Sequence, residues 1–461
     1  MNNVVKISLM ILSVVFFLGC STKTYTIKIH EPLSKNPSEK QIALFLDGTQ
    51  NDLQSKTNIS ALSEIIDYQD RDNLYLFYNE GVGTGGRFLG AATGLGIGND
   101  VRQAYTFLSA YYTPDSKLYL FGFSRGSYTS RILAGMIYSV GIYDLKRFTK
   151  KDRITIVKEL YTVYKDEDEI YKKAKEQERI KQIKEDAQNI ITSWEKNDSI
   201  KKLGKKTLLH ENVKIEVMGL WDTVEALGLT PTIEAFMHKV FGIEDPQDIV
   251  HPNERYIDQI CNIKHIYHAL SLDDNRANVF TPIILSSDYV SKCPKPEDSL
   301  LSKVNEVWFS GAHADIGGGY TKNENNKKGE KNIDRKISIP GVSLNWMLSK
   351  LKIDAPMLVP QHAQVFENFL GYVHNAENGD GKYYKRTRHN LMKKYIQDSS
   401  KHTMLKVHAS VIKRLATNNN AKKERGYDSK WYTKEPFKKC FLQNKDGSFI
   451  FKGCQEIIVV E

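Results

Sequence analysis

Lys117-Leu118-Tyr119-Leu120-Phe121-Gly122-Phe123-Ser124-Arg125-Gly126 is the stretch on which the fold turns. Lys117 to Phe121 form an apolar run short enough for a buried strand, and Ser127 to Val140, rich in small residues, read as a helix. Between them stands Gly-x-Ser-x-Gly. As a bare pattern it is common, and a tight turn carrying an idle serine satisfies it too. The strand before it and the helix after it give it the context of a nucleophile elbow. There a serine sits on a strained strand-to-helix turn, and glycines on either side leave room for neighbouring backbone. The backbone N–H of Arg125 would then open the helix and face a developing oxyanion.

Working outward, the same alternation recurs. Ile42 to Leu46 read as a buried strand stopping at Asp47-Gly48-Thr49, and Leu74 to Tyr78 as a second strand. A glycine-rich loop over 81–98 and a helix over Asp100 to Tyr112 follow. Further strands are expected over Val213 to Leu220 and Glu306 to Phe309. Strand, loop and helix in turn predict an α/β fold, a mostly parallel sheet flanked by helices. Residues 146–206 break the rhythm. They are dense in Lys and Glu, with Val157, Leu160, Val163, Tyr164 and Tyr171 at helical spacing, and read as an inserted pair of amphipathic helices packed on their own domain. The catalytic unit is expected over 41–345, with 346–461 an auxiliary or lid region.

A serine hydroxyl needs a base to take its proton and an acid to orient that base. In sheets of this kind they follow in the order serine, acid, histidine. Asp222, at the end of the strand Val213 to Leu220, fits the acid, a helix N-cap being its other reading. His313, in the loop after Glu306 to Phe309, fits the base. Asp315, two residues on, either orients that loop or replaces Asp222. His268 lies in Tyr267-His268-Ala269-Leu270, expected as a helix, as a core or supporting residue. Gly48 or Thr49 is expected to give the second oxyanion N–H, with Asp47 holding their loop and remaining a rival for acid or metal duty. Gly81-Val82-Gly83-Thr84-Gly85-Gly86 satisfies Gly-x-Gly-x-x-Gly, but glycines continue to Gly98 where a dinucleotide site needs a helix to open. No cofactor and no metal are expected.

Gly-Phe-Ser-Arg-Gly-Ser-Tyr, Trp-Asp-Thr-Val and His-x-Asp-Ile-Gly-Gly-Gly-Tyr, in that order after Leu-Asp-Gly-Thr, resemble the catalytic core of the type VI secretion lipase effectors. The loop Gly81–Gly85 and the run His268-Ala269-Leu270-Ser271-Leu272-Asp273 match as well, so the resemblance spans about residues 41–320. It implies an α/β-hydrolase fold, with Ser124 as nucleophile, Asp222 as acid and His313 as base. It also implies hydrolysis of phospholipid acyl esters. The charged insertion and the region after 345 depart from the family pattern. An esterase or thioesterase on another substrate, or a non-enzymatic envelope lipoprotein reusing the fold, are the alternatives.

The N-terminus points to a membrane. Met1 to Lys6, the apolar Ile7 to Phe17 and Leu18-Gly19-Cys20 have the layout of a signal segment; the apolar run is too short to span a bilayer. Leu18-Gly19-Cys20 at the end of that run resembles the lipobox of bacterial lipoproteins, which implies acylation of Cys20, with Ser21 directing the chain to the outer membrane. Residues 20–40, polar with Pro32 and Pro37, read as a tether. The net charge of +10 suits an anionic membrane. No nucleic-acid-binding signature accompanies it, so no nucleic-acid partner is expected. Membrane phospholipid is the expected partner, as substrate and anchoring surface. A phospholipase tethered to a bilayer it can digest also calls for restraint, by a lid or an inhibitory protein. Besides Cys20, Cys261, Cys293, Cys440 and Cys454 allow three full pairings, with Cys440–Cys454 first because Asp446-Gly447 between them suits a hairpin turn.

Overall fold

The computed structural model of the chain describes residues 25–33, 38–48, 51, 53–68, 72–81, 97–165, 176–196, 206–224, 261–274, 304–320, 339–375, 388–398, 404–417 and 426–461. The signal segment, Cys20, Thr49, Tyr171, Cys293 and most of the glycine-rich loop lie outside these residues. In chain order the elements are β1 (Tyr25–His30), β2 (Gln41–Leu46), α1 (Asn58–Ile66), β3 (Leu74–Asn79), α2 (Ile97–Tyr111), β4 (Lys117–Phe123) and α3 (Arg125–Val140). They continue with β5 (Ile142–Tyr143), α4 (Lys150–Lys165), α5 (Glu176–Glu195), β6 (Leu209–His210), β7 (Ile215–Trp221), β8 (Ile263–Ser271), β9 (Val304–Phe309) and α6 (His313–Gly317). The last are α7 (Pro340–Asp354), α8 (Arg388–Asp398), β10 (Leu405–His408), α9 (Ala409–Leu415), β11 (Phe441–Gln443), β12 (Phe449–Phe451) and β13 (Ile457–Val460).

Nine strands form one sheet in the order β1-β3-β2-β4-β7-β8-β9-β10-β13. Every pairing is parallel except that of β1 with β3. The period of two in a strand explains the layers. Ile42, Leu44 and Leu46 of β2, with Leu118 and Leu120 of β4, join one core with α2, α3, α4 and α5. Ala43 and Phe45, with Tyr119 and Phe121, join the core on the other face with α1 and α7. Both faces are covered, which is why β2 and β4 read as unbroken apolar runs. Phe45 and Phe121 stack across the β2–β4 pair at 5.4 Å between ring centres.

The chain order places the crevice. From β2 the chain crosses over α1 to β3 on one side, then over α2 to β4 on the other. The carboxyl ends of β2 and β4 therefore sit at the point where strand order reverses, where loops diverge and open a cleft in sheets of this type. Ser124 follows β4 there, and Asp47 and Gly48 follow β2.

The charged insertion packs on its own domain. Val157, Leu160 and Tyr164 of α4, and Ile183, Ala187 and Ile191 of α5, are buried in the same core as α2 and α3. Trp194 donates to Glu159 at 2.9 Å, tying the two helices together.

Three stretches differ from the sequence expectation. Residues 25–30, within the expected tether, form the edge strand β1; Tyr25, Ile27 and Ile29 pack against the core, and their alternation with Thr26, Lys28 and His30 is that of a half-exposed strand. Tyr267–Leu270, expected as helix, lie in β8, between β7 and β9. Residues 346–461 contribute β10 and β13 to the central sheet and a third core in which Trp431, Tyr432, Phe437 and Phe441 pack on Leu270 and Trp308. Within that region Cys440 and Cys454 form the expected disulfide across the β11–β12 hairpin, which turns at Gly447. Cys261 is disulfide-bonded as well. No helix among the described residues is long and apolar enough to cross a membrane.

Candidate active site

Ser124 stands between β4 and α3 with φ 58° and ψ −124°, a backbone conformation that a residue bearing a side chain adopts only under constraint. The constraints are visible. Its N–H donates to the Trp221 carbonyl at 3.0 Å, and its carbonyl accepts from Ser127 and Tyr128. The Ser127 hydroxyl closes the turn on the Gly122 carbonyl at 2.6 Å. The two glycines are steric necessities. A Cβ on Gly122 would lie 2.5 Å from the Gly126 oxygen, and one on Gly126 would lie 1.9 Å from the Leu46 oxygen. The amide of Arg125 is the first of α3, where helix N–H groups lack intrahelical acceptors and the macrodipole favours negative charge. The Arg125 side chain is buried within the field of Asp100. Burial lowers the guanidinium to about 10 against the opposing pull of Asp100, and raises the Asp100 carboxyl to about 7 despite Asn79 and Arg125.

Asp222 follows β7, its φ of 39° turning the chain sharply. Its carboxylate is fully buried and takes four hydrogen bonds: from the Ser271 N–H (2.9 Å) and hydroxyl (2.9 Å), from His313 Nδ1 (2.7 Å) and from Arg388 Nη2 (3.2 Å). Burial pushes the carboxyl upward, but Arg388, His313 and the Ser271 amide together outweigh it and hold it well below the usual carboxylate range. Since the ionised acid accepts from Nδ1, that nitrogen carries the imidazole proton, and Nε2 is the acceptor side of the ring. His313 opens α6, its N–H donates to Asp274 at 3.1 Å, and its ring stacks on Phe123 at 4.7 Å between centres. The histidine thus lies against the residue preceding Ser124.

The structure separates the two acids that the sequence left as rivals. Asp315 takes His374, accepting from its Nδ1 at 2.6 Å and its N–H at 2.9 Å, while His313 goes to Asp222. Asp315 also accepts from the Ala312 N–H, so it orients the histidine loop. Asp47 holds its own loop, accepting from the Thr57 hydroxyl (2.6 Å), the Tyr78 hydroxyl (2.5 Å) and the Gly48 N–H (2.7 Å). The Gly48 amide is therefore engaged within that loop, and Thr49 lies outside the described residues.

His268 is buried beside the acid, not in the cleft. Its Nε2 accepts from the Thr223 N–H at 3.1 Å and lies 3.0 Å from the Thr223 hydroxyl, while its Nδ1 faces Glu306 at 3.0 Å. This chain pins the residue after Asp222 and so supports the unusual turn there. Beneath the histidine loop, Asp273 accepts from the Gly311 N–H at 2.8 Å and the Ser429 hydroxyl at 2.7 Å. Burial, with Asp428 adding to it, raises the Asp273 carboxyl to about 6.

Arg388, Ser271, Asp274 and His374 were missed at the sequence level. Ser271 lies within the run that begins at His268 and Asp274 follows its end, and a strand there would have marked them as groups at and just past a strand end. Arg388 comes from α8, 166 residues from Asp222, and carries no local signal. One cluster among the described residues has donors at metal-binding spacing, Cys440, Cys454 and Glu456, but its sulfurs are joined to each other and Glu456 pairs with Lys439 at 2.6 Å.

Residues 40–350, more than half of the chain, match the family described as T6SS phospholipase effector Tle1-like, catalytic domain. An uncharacterised protein of Saccharomyces cerevisiae is 26% identical over 276 residues, 55% of this chain and 34% of the yeast protein. Among solved structures, an uncharacterised protein from Pseudomonas aeruginosa is similar at 15% identity and a TM-score of 0.35, covering 78% of this chain and 50% of that one. A thermophilic esterase from Thermogutta terrifontis, with propionate bound, is similar at 11% identity and a TM-score of 0.31, over 75% of this chain and 97% of that one. The chain thus spans about a third of the yeast relative and half of the Pseudomonas protein.

Proposed function

The chain belongs to the family of T6SS phospholipase effector Tle1-like catalytic domains, and from that premise we propose that it is a serine hydrolase of lipid carboxylic esters, of phospholipase A type, with Ser124, His313 and Asp222 as nucleophile, base and acid. The observation that carries this reading is the Asp222–His313 hydrogen bond of 2.7 Å, with the imidazole stacked against the strand end that presents Ser124.

In this mechanism His313 Nε2 takes the Ser124 proton as Oγ attacks the ester carbonyl. The tetrahedral oxyanion forms beside the N-terminus of α3, where the Arg125 amide stabilises it. Asp222 stays ionised and stabilises the imidazolium, which then gives its proton to the departing alcohol. Water, activated by the same histidine, releases the fatty acid from Ser124.

The lipobox-like Leu18-Gly19-Cys20 supports a location to match: the chain is held on the bacterial outer membrane through acylated Cys20, where its substrate is also its anchoring surface. The test is product analysis with phospholipid vesicles and, in parallel, short-chain acyl esters. The reading predicts fatty acid and lysophospholipid from the wild type and none from Ser124→Ala. Turnover of the short esters alone would move the substrate class away from phospholipid, and equal release by the Ser124→Ala protein would refute the mechanism.

A further inference from the structure

The family match ends at residue 350, yet the support of the Asp222–His313 pair does not. Arg388, the first residue of α8, lies only 3% exposed with Nη2 3.2 Å from Asp222 Oδ2 and 2.8 Å from the Ser271 hydroxyl. That carboxylate oxygen is the one that receives His313 Nδ1. We propose that Arg388 is a positioning residue of the hydrolase: it fixes the Asp222 carboxylate and, by sharing the oxygen that binds His313, sets the pH at which the base becomes competent. The inference rests on the triad proposed above.

The physical argument begins with desolvation. A buried ion pair repays the loss of hydration only when its geometry and remaining hydrogen bonds are good, and a neutral donor would satisfy Asp222 at less expense. The Ser271 hydroxyl and N–H already do so. What the guanidinium adds is charge. Held beside the acid, it offsets part of the negative field that favours the imidazolium. Among the described residues, the other charged groups near the pair have partners of their own. Asp274 accepts the His313 N–H, Asp315 takes His374, Asp273 is bound by Gly311 and Ser429, and Glu306 faces His268. Arg388 is the cation among these contacts that reaches Asp222 directly.

α8 is braced for the task. Met392, four residues on, is buried in the third core with Trp431 and Phe437, and His389 Nε2 meets the Glu435 carbonyl at 2.6 Å. The same C-terminal unit reaches the base from below, through Ser429, Asp273 and Gly311. The acid is thus held directly, and the loop before the base at one remove, by residues outside the matched region.

The experiment compares wild type, Arg388→Gln, Arg388→Lys and Met392→Ala. It follows the titration of the His313 imidazole by ¹⁵N NMR, assigned with His313→Gln, and the pH profile of kcat/KM on a short acyl ester. Arg388→Gln is expected to move the His313 titration and the acid limb of kcat/KM upward by about one pH unit. Its plateau should drop by about 10- to 100-fold, less than the roughly 10⁴-fold loss that goes with removing a triad acid. Arg388→Lys keeps the charge and holds the titration near wild type while losing plateau rate with the fork geometry. Met392→Ala loosens the same helix without touching Asp222 and leaves the titration in place. An unmoved titration in folded Arg388→Gln, or an equal shift in Met392→Ala, overturns the proposal. The NMR titration is read independently of turnover, so a failed hydrolase reading and a failed role for Arg388 are told apart.

Discussion

Replacing Gly126 by alanine tests the elbow at its tightest point. The new Cβ would lie 1.9 Å from the Leu46 oxygen, 2.4 Å from the Leu46 carbonyl carbon and 2.7 Å from the Asp47 oxygen, where ordinary contact begins at 3.4 Å. These are backbone atoms of β2 and the loop after it, so no side-chain rotation relieves the clash, and α3 must withdraw by about 1.5 Å (3.4 minus 1.9). Overpacking in a core costs about 1–3 kcal/mol, and the rigid contact places this substitution at or above the upper end. Ser124 rides on the same turn, and a displacement of about 1 Å at a reacting group lowers rate by roughly 100-fold. Gly98→Ala, in α2, is the control. There the nearest atoms are the Tyr161 ring and hydroxyl at 3.1 Å, the end of a side chain that can yield, so stability should be near neutral. Urea unfolding followed by tryptophan fluorescence and initial rates on a short acyl ester read both effects. A Gly126→Ala protein with wild-type midpoint and wild-type rate would refute the account of why glycine stands at this position.

Four other outcomes follow from the same geometry. Asp222 has its pKa lowered in the fold, so its charge contributes stability that is present above the unfolded value of about 3.9 and lost as pH falls below it. The stability gap between wild type and Asp222→Asn should therefore shrink as pH falls below about 4, as read by urea unfolding across pH. His268→Ala leaves Glu306 buried without its imidazole partner and should lower stability by about 3 kcal/mol; a change under 1 kcal/mol contradicts the bracing role. Cys440→Ser with Cys454→Ser opens a cross-link with a sequence separation of 14 and should lose about 3 kcal/mol, measured by thermal unfolding of the double variant against wild type. Cys20→Ser should move the protein from the membrane fraction to the soluble one, and an unchanged distribution on fractionation contradicts the lipid anchor.

Much of the candidate site was legible because its residues sit where local patterns change. Ser124, Asp222 and His313 each follow an apolar run that is a central strand, and a strand end is visible in one dimension. The Cys440–Cys454 hairpin was legible for the same reason, a turn pair between two cysteines. β8 was misread because Ile263, Ile266, Tyr267 and Leu270 fall at helical spacing, and a strand buried on both faces has no alternation to correct the impression. β10 and β13, four residues each, are too short to stand out. Arg388 was invisible for a different reason. It lies in a stretch rich in Lys and Arg that reads as solvated, and only the tertiary fold brings it to a carboxylate 166 residues away.

The central claim is that the fold activates one serine, and a fluorophosphonate probe measures this directly. The reagent is incubated with folded protein and the modified residue is located by peptide mass spectrometry. The account predicts covalent labelling at Ser124, greatly slowed in His313→Ala and absent from Ser124→Ala. A properly folded wild-type chain that stays unlabelled, or carries the label at another residue, would contradict it.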